Sequence, residues 1–212
     1  MEPWTFGVEP LSRVVEAAAL LRRVNDLLQS LEGDDAAVES LLSDLQRADE
    51  TLSKLTPASI APRVGPAADG DGRAYVDHAR DIGRINPAFP EYTIEVDGGS
   101  ATGTVEFPLS YEGPPGIVHG GFLAVFFDCV VQHHNCDVGT AGKTTGMSLR
   151  YRRPAPLLTP LTFSIQRMEA EGRIHSVAML ELEGKTLCEA DVDAYAGNRA
   201  NLPEVSPRRS SG

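Results

Sequence analysis

Asp128 is the single acid in an apolar, proline-free run, Phe122-Leu123-Ala124-Val125-Phe126-Phe127-Asp128-Cys129-Val130-Val131. The run is too short to span a bilayer and reads as a helix buried in a core. A carboxylate there is costly unless it is paired or used. Its uses are known: it can activate a water as general base, or attack a carbonyl itself. Just upstream, Gly113-Pro114-Pro115-Gly116-Ile117-Val118 leads into His119-Gly120-Gly121. The two glycines carry no side chains to cover the first free N–H groups of the helix. Those donors and the positive end of the helix dipole suit a developing negative charge. Gly121 and Asp128 are seven residues apart (128 − 121), so they lie nearly on one face, with Ala124 between them leaving room for a ligand. Polarising donors and a carboxylate two turns on make a constellation for attack on a carbonyl. The structural alternatives are a tight loop-to-helix junction for Gly120 and Gly121, and an ion-paired helix acid for Asp128. His119 is either a general acid or a loop-binding residue.

Thr144 opens a strand. Alternation places Thr144, Gly146, Ser148, Arg150 and Arg152 on one face and Thr145, Met147, Leu149 and Tyr151 on the other. The second face is the more apolar and is expected on the core. Thr144 then points away from that core, where its hydroxyl could orient a water or Asp128; Thr145 takes its place if the register slips. Arg150, Arg152 and Arg153 put three cations in four residues of an acidic chain, and Arg173 follows. Arginine suits phosphate by charge and fork geometry, the alternative being solvated charges at a sheet edge. His133, His134, Cys136 and Asp137 raise the question of a metal. Adjacent helix residues diverge, and no second ligand pair completes a zinc spacing, so no metal is expected. Histidine near a helix C-terminus is favoured by the dipole instead.

These residues need a scaffold. Residues 10–56 read as two helices, the second with Val38, Leu41, Leu45, Ala48, Leu52 and Leu55 in a heptad-like seam. That implies a helical hairpin packed on its own domain, or a coiled coil between subunits. A linker is expected over 57–85, its first part, 57–72, rich in Pro, Ala, Gly and Asp, and the proline-punctuated run Gly83–Pro90 is expected near the mouth of the site. A β-hairpin turning at Asp97–Ser100 precedes the central helix, about 120–135. Strands are expected at 144–152, 161–170, 174–182 and 186–195, and a disordered tail over 197–212. One helix followed by a strand meander predicts an α+β fold, an antiparallel sheet wrapped around a helix.

The landmarks together resemble the hotdog-fold acyl-CoA thioesterases of the PaaI-like type, in the branch carrying Gly-Pro-Pro-Gly-x-x-His-Gly-Gly. That loop stands at 113–121, the acid nine residues after the histidine is Asp128, the threonine sixteen further on is Thr144, and Tyr151-Arg152-Arg153-Pro154 matches a Tyr-basic-Arg-Pro run. The resemblance covers roughly 86–196, the expected hotdog domain. It implies hydrolysis of an acyl-CoA thioester without a cofactor, Asp128 as base or nucleophile, and Gly120 and Gly121 polarising the carbonyl. His119 in this family mostly shapes the loop. The resemblance also places Arg150, Arg152, Arg173 and Ile174 at CoA, although the related branch carries a small amide at Arg150. Gly113 stands where other PaaI-like enzymes have a catalytic Asn or Gln. Family members dimerise, some as dimers of dimers, with sites shared between subunits. A non-hydrolytic acyl-CoA-binding or scaffold protein, its helical hairpin recruiting a partner, is the alternative. A hydratase lacks its His/Asp pair.

The 212 residues suggest one domain with an extension, or two small domains. The net charge of −11 argues against nucleic acid or anionic membrane as partner. No apolar leader and no membrane span are read, and three cysteines without a CxxC suggest reduced thiols, hence a cytoplasmic protein.

Overall fold

The computed structural model describes residues 5–210. Residues 1–4, read above for a leader, and 211–212, the end of the expected tail, lie outside the described residues. Two helices come first, α1 (Ser12–Gln29) and α2 (Ala36–Ser53), then α3 (His78–Ile85). Strands β1 (Tyr92–Asp97) and β2 (Ser100–Val105) form a hairpin ahead of α4 (Gly120–Val138). The meander β3 (Ala141–Tyr151), β4 (Leu161–Ala170), β5 (Arg173–Leu182) and β6 (Lys185–Ala196) follows. All six strands join one antiparallel sheet in the order β1-β2-β4-β5-β6-β3, curled around α4. This is the hotdog architecture expected from the sequence.

Local chemistry sets the turns. Glu171-Gly172 and Glu183-Gly184 each have two residues at positive φ, the two-residue geometry that matches strand twist. Glycine takes the second position of each, where it carries no Cβ penalty. The helix at the centre is apolar on most sides, as a helix wrapped by a sheet must be. Phe126, Phe127, Val130 and Val131 are buried against Phe163, Ile165, Leu180 and Val192, and the Phe126 ring meets Phe163 and Phe107 edge-on.

Outside the sheet the sequence expectations need revision. The presumed linker contains α3, capped by the Asp77 carboxylate, which accepts from the Ala79 N–H at 3.0 Å. The segment expected to be a disordered tail has defined contacts. Val205 bridges Val64, and buried Arg63 donates to Ser206 Oγ at 2.8 Å and to the Pro207 carbonyl at 2.7 Å.

The two N-terminal helices also differ from each other. Arg22 of α1 is buried and donates to the Phe89, Gly83 and Asn86 carbonyls and to the Glu91 carboxylate. So α1 is pegged to α3 and to the Asn86–Pro90 run, which serves as its platform. By contrast α2 buries no residue, and Leu42, Leu45, Leu52 and Leu55 stay exposed. Among the described residues Val38 and Leu41 of the heptad-like seam are half-buried, and Leu45, Leu52 and Leu55 are left uncovered.

Candidate active site

Two thirds of the way along β3, counted back from its end, the ladder with β6 slips. Thr144 pairs with Ala194 and Gly146 with Asp193, so two steps on β3 match one on β6. This bulge at Thr145 inverts the alternation. Thr144 therefore shares the inner face with Met147, Leu149 and Tyr151, whose partners Val192, Ala190 and Cys188 are buried. The expectation that Thr144 points away from the core is corrected by this extra residue. Facing α4, Thr144 Oγ1 donates to Asp128 Oδ1 at 2.7 Å. Thr145, the alternative, is exposed and donates instead to the Asp193 carbonyl at 3.2 Å.

Asp128 is half-buried at the wall of a cleft of about 580 Å³. With Thr144 bound to Oδ1, its second oxygen has no protein donor among the described residues. Cys129 and Gln132 of α4, Ala141 and Lys143 of β3, and His78, Ala79 and Ile82 of α3 continue the wall. Burial first, and the neighbouring Asp128 charge second, push the Cys129 thiol up to about 12, so it is no thiolate near neutrality. The contribution of α3 was missed because its sequence, His78-Ala79-Arg80-Asp81-Ile82-Gly83-Arg84-Ile85, sets only two large apolar residues, Ile82 and Ile85, among charged ones.

The helix start divides its donors. His119 caps α4: its Nδ1 accepts the Gly121 N–H at 3.0 Å. That geometry requires a neutral imidazole with the proton on Nε2, and it occupies one of the two expected donors. The Gly120 N–H has no acceptor among the described residues, while its carbonyl accepts from Tyr151 Oη at 3.0 Å. A Cβ at Gly120 would stand 3.0 Å from Tyr151 Cζ, so any side chain there would have to displace the Tyr151 ring. Gly113 packs against the His119 backbone and ring, where a Cβ would stand 2.9 Å from His119 Cα.

The basic cluster separates. Arg150 and Arg152 lie on the outer face of the sheet, away from α4, paired with Asp191 at 3.2 Å and Glu189 at 2.8 Å. Arg173 stacks over the Tyr195 ring at 5.6 Å. Ile174 is 1% exposed and fills the core, so its side chain presents nothing to a nucleotide. Arg153 makes no ion pair among the described residues; it donates to the Thr186 carbonyl at 2.7 Å and lines a cleft of about 430 Å³ with Gly116, Ile117 and Lys185. The histidine cluster diverges: His133 Nδ1 lies 2.7 Å from Tyr92 Oη, and His134 Nε2 lies 2.9 Å from the Gly98 carbonyl. Among the described residues no group of three or more His, Cys, Asp or Glu is arranged to hold a metal ion.

An antiparallel sheet curled around one helix defines the hotdog fold, and here a carboxylate on that helix is bound to a strand hydroxyl. No family model matches the chain. Acyl-coenzyme A thioesterase THEM4 of Mus musculus is 32% identical over 81 residues, which is 37% of this chain and 35% of THEM4. The match thus spans about a third of that curated relative. A solved thioesterase superfamily protein is 30% identical, with 90% of this chain and 94% of that one covered and a TM-score of 0.71. The chain belongs to the thioesterase superfamily.

Proposed function

We propose that the protein hydrolyses an acyl-CoA thioester to a free acid and CoA, with Asp128 as general base. The observation that carries this is the Thr144–Asp128 hydrogen bond at the wall of the cleft. The Thr144 hydroxyl fixes one carboxylate oxygen and leaves the other to accept a proton from water. Hydroxide then adds to the thioester carbon, and the oxyanion is stabilised by a helix-start N–H. Collapse breaks the C–S bond, and the protonated Asp128 returns its proton to the thiolate. No cofactor takes part.

The Gly120 N–H and Asp128 are eight residues apart (128 − 120), about 12 Å along a helix. A hydrogen bond, a carbonyl and one water span less than that. The gap favours a homodimer in which Gly120 of one copy serves Asp128 of another. Exposed Phe122 and Val125 on α4, and the unpaired β3 edge with Met147 and Tyr151, supply the apolar surface for it. For the CoA nucleotide, the unpaired charge of Arg153 beside Lys185 favours that cleft over the neutralised Arg150 and Arg152.

The test is free-thiol release from an acyl-CoA panel. Wild-type protein turns over at least one substrate, and Asp128→Asn loses about 10²–10⁴ in kcat while keeping its circular dichroism. A single turnover in ¹⁸O water labels the product acid if Asp128 is the base; an unlabelled first product makes it the nucleophile. Turnover of no substrate shifts the reading to an acyl-CoA-binding scaffold, for which the uncovered leucines of α2 would be the recruiting surface.

A further inference from the structure

The cleft beside Asp128 does not end at α3. A narrower chamber of about 130 Å³ extends it inward, sharing Ala79, Ala141 and Gln132 with the outer part and reaching Cys136 and Asp77. Both parts are also lined by Phe6, Tyr75 and Leu202, which belong neither to the sheet nor to α4. They come from three segments that the hotdog architecture does not require.

Those segments are held in place. The Phe6 N–H donates to Asp77 Oδ2 at 3.2 Å, the Val8 N–H to the Tyr75 carbonyl at 2.8 Å, and the Phe6 and Tyr75 rings lie 5.2 Å apart. On the Leu202 side, the Gly65 N–H donates to the Glu204 carbonyl at 2.8 Å, and Arg63 holds Ser206 and Pro207. The inner end of the cleft is therefore a built wall, made largely of rings and aliphatic side chains.

We propose that this inner chamber takes the distal end of the substrate's acyl chain, and that Phe6, Tyr75 and Leu202 set the longest chain accepted. The inference rests on the thioesterase reading, which puts the thioester at Asp128, at the outer end of the same cleft. It adds the chemical class: an acyl group with an uncharged distal end. Asp77 stands at the inner end, 4% exposed, and Asp128 at the outer. A second carboxylate at the distal end of the chain would meet Asp77, where burial already disfavours ionisation, while Lys143 lines only the outer part of the cleft.

The experiment uses S-alkyl-CoA thioethers, from ethyl to hexadecyl, which cannot be hydrolysed, titrated calorimetrically into the full chain. Affinity should rise about fourfold for each methylene that leaves water, up to a limiting length. Leu202→Ala and Phe6→Ala should move that limit to longer chains, and Ala79→Leu to shorter ones. An ω-carboxyalkyl thioether should bind about tenfold or more weakly than its methyl-ended equivalent. Variants in opposite directions keep the test decisive if one fails to fold by circular dichroism. A limit unchanged in every folded variant overturns the proposal, as does affinity independent of chain length. The ligands are not cleaved, so a shifted limit without acyl-CoA turnover retains the chamber and rejects only the hydrolytic reading.

Discussion

Thr144 and Asp128 form a pair whose value can be measured directly. A hydrogen bond to a charged group contributes about 1.5–3 kcal/mol, so Thr144→Val should lower kcat by roughly 10- to 100-fold, while Thr144→Ser retains most of it. Thr145→Val, on the outer side of the bulge, should leave kcat unchanged, since its hydroxyl reaches only the Asp193 carbonyl. Steady-state kinetics on the three variants checks this; an effect at Thr145 equal to that at Thr144 would mean that the pair is not functional. The arginines divide in the same way. Arg153→Ala should raise KM for acyl-CoA far more than for a pantetheine thioester lacking the nucleotide. Arg152→Ala should do much less, because Glu189 already takes its charge at 2.8 Å and an exposed pair of this kind contributes at most about 1 kcal/mol. Equal effects of Arg153→Ala on both substrates would place the phosphates elsewhere.

At the level of elements, the two N-terminal helices have unequal roles. Arg22 ties α1 to three backbone carbonyls and one carboxylate. Removing it leaves those acceptors partly unsatisfied, a cost of about 3 kcal/mol. Leu45→Ala in α2 removes an exposed side chain and should change stability by less than about 0.5 kcal/mol in a monomer. Urea titration of Arg22→Ala and Leu45→Ala separates the two helices, and a large loss for Leu45→Ala would reveal a partner for α2. Through its packing on α3, α1 also supports one wall of the Asp128 cleft. Damage at Arg22 should therefore reach the site as well as the fold.

The whole molecule leaves β1 and β3 at the edges of its sheet and an apolar stripe of α4 facing outward beside β3. Unpaired edges next to apolar surface favour association. Val125 is 51% exposed in the middle of that stripe. Val125→Asp should lower the mass seen by light scattering and reduce turnover along with it, since the proposed site draws Gly120 and Asp128 from two copies. A mass unchanged by this substitution would move the interface off this face, and full activity in a monomer would return the site to one chain. No helix among the described residues is long and apolar enough to cross a membrane.

Sequence alone determined the elements whose periodicity is strong and whose punctuation is local. The apolar run around Asp128 had to be a buried helix, the glycine-marked turns at 171–172 and 183–184 had to close hairpins, and their order required a sheet around that helix. The loop from Gly113 to Gly121, Asp128, Thr144 and the run Tyr151–Pro154 together carried the resemblance that named the fold. What the sequence could not supply were facts set by distant neighbours. The bulge at Thr145 shows no local signal, because it arises from the pairing of β3 with β6, yet it decides that Thr144 meets Asp128. His119 reads as acid or loop residue in the sequence, and only the fold brings its Nδ1 to the Gly121 N–H. The partners of Arg22 lie more than sixty residues away (83 − 22 at the nearest carbonyl), so α1 and α2 looked alike when only one is anchored. Phe6, Tyr75 and Leu202 converge from the two ends and middle of the sequence, a meeting that only tertiary packing brings about.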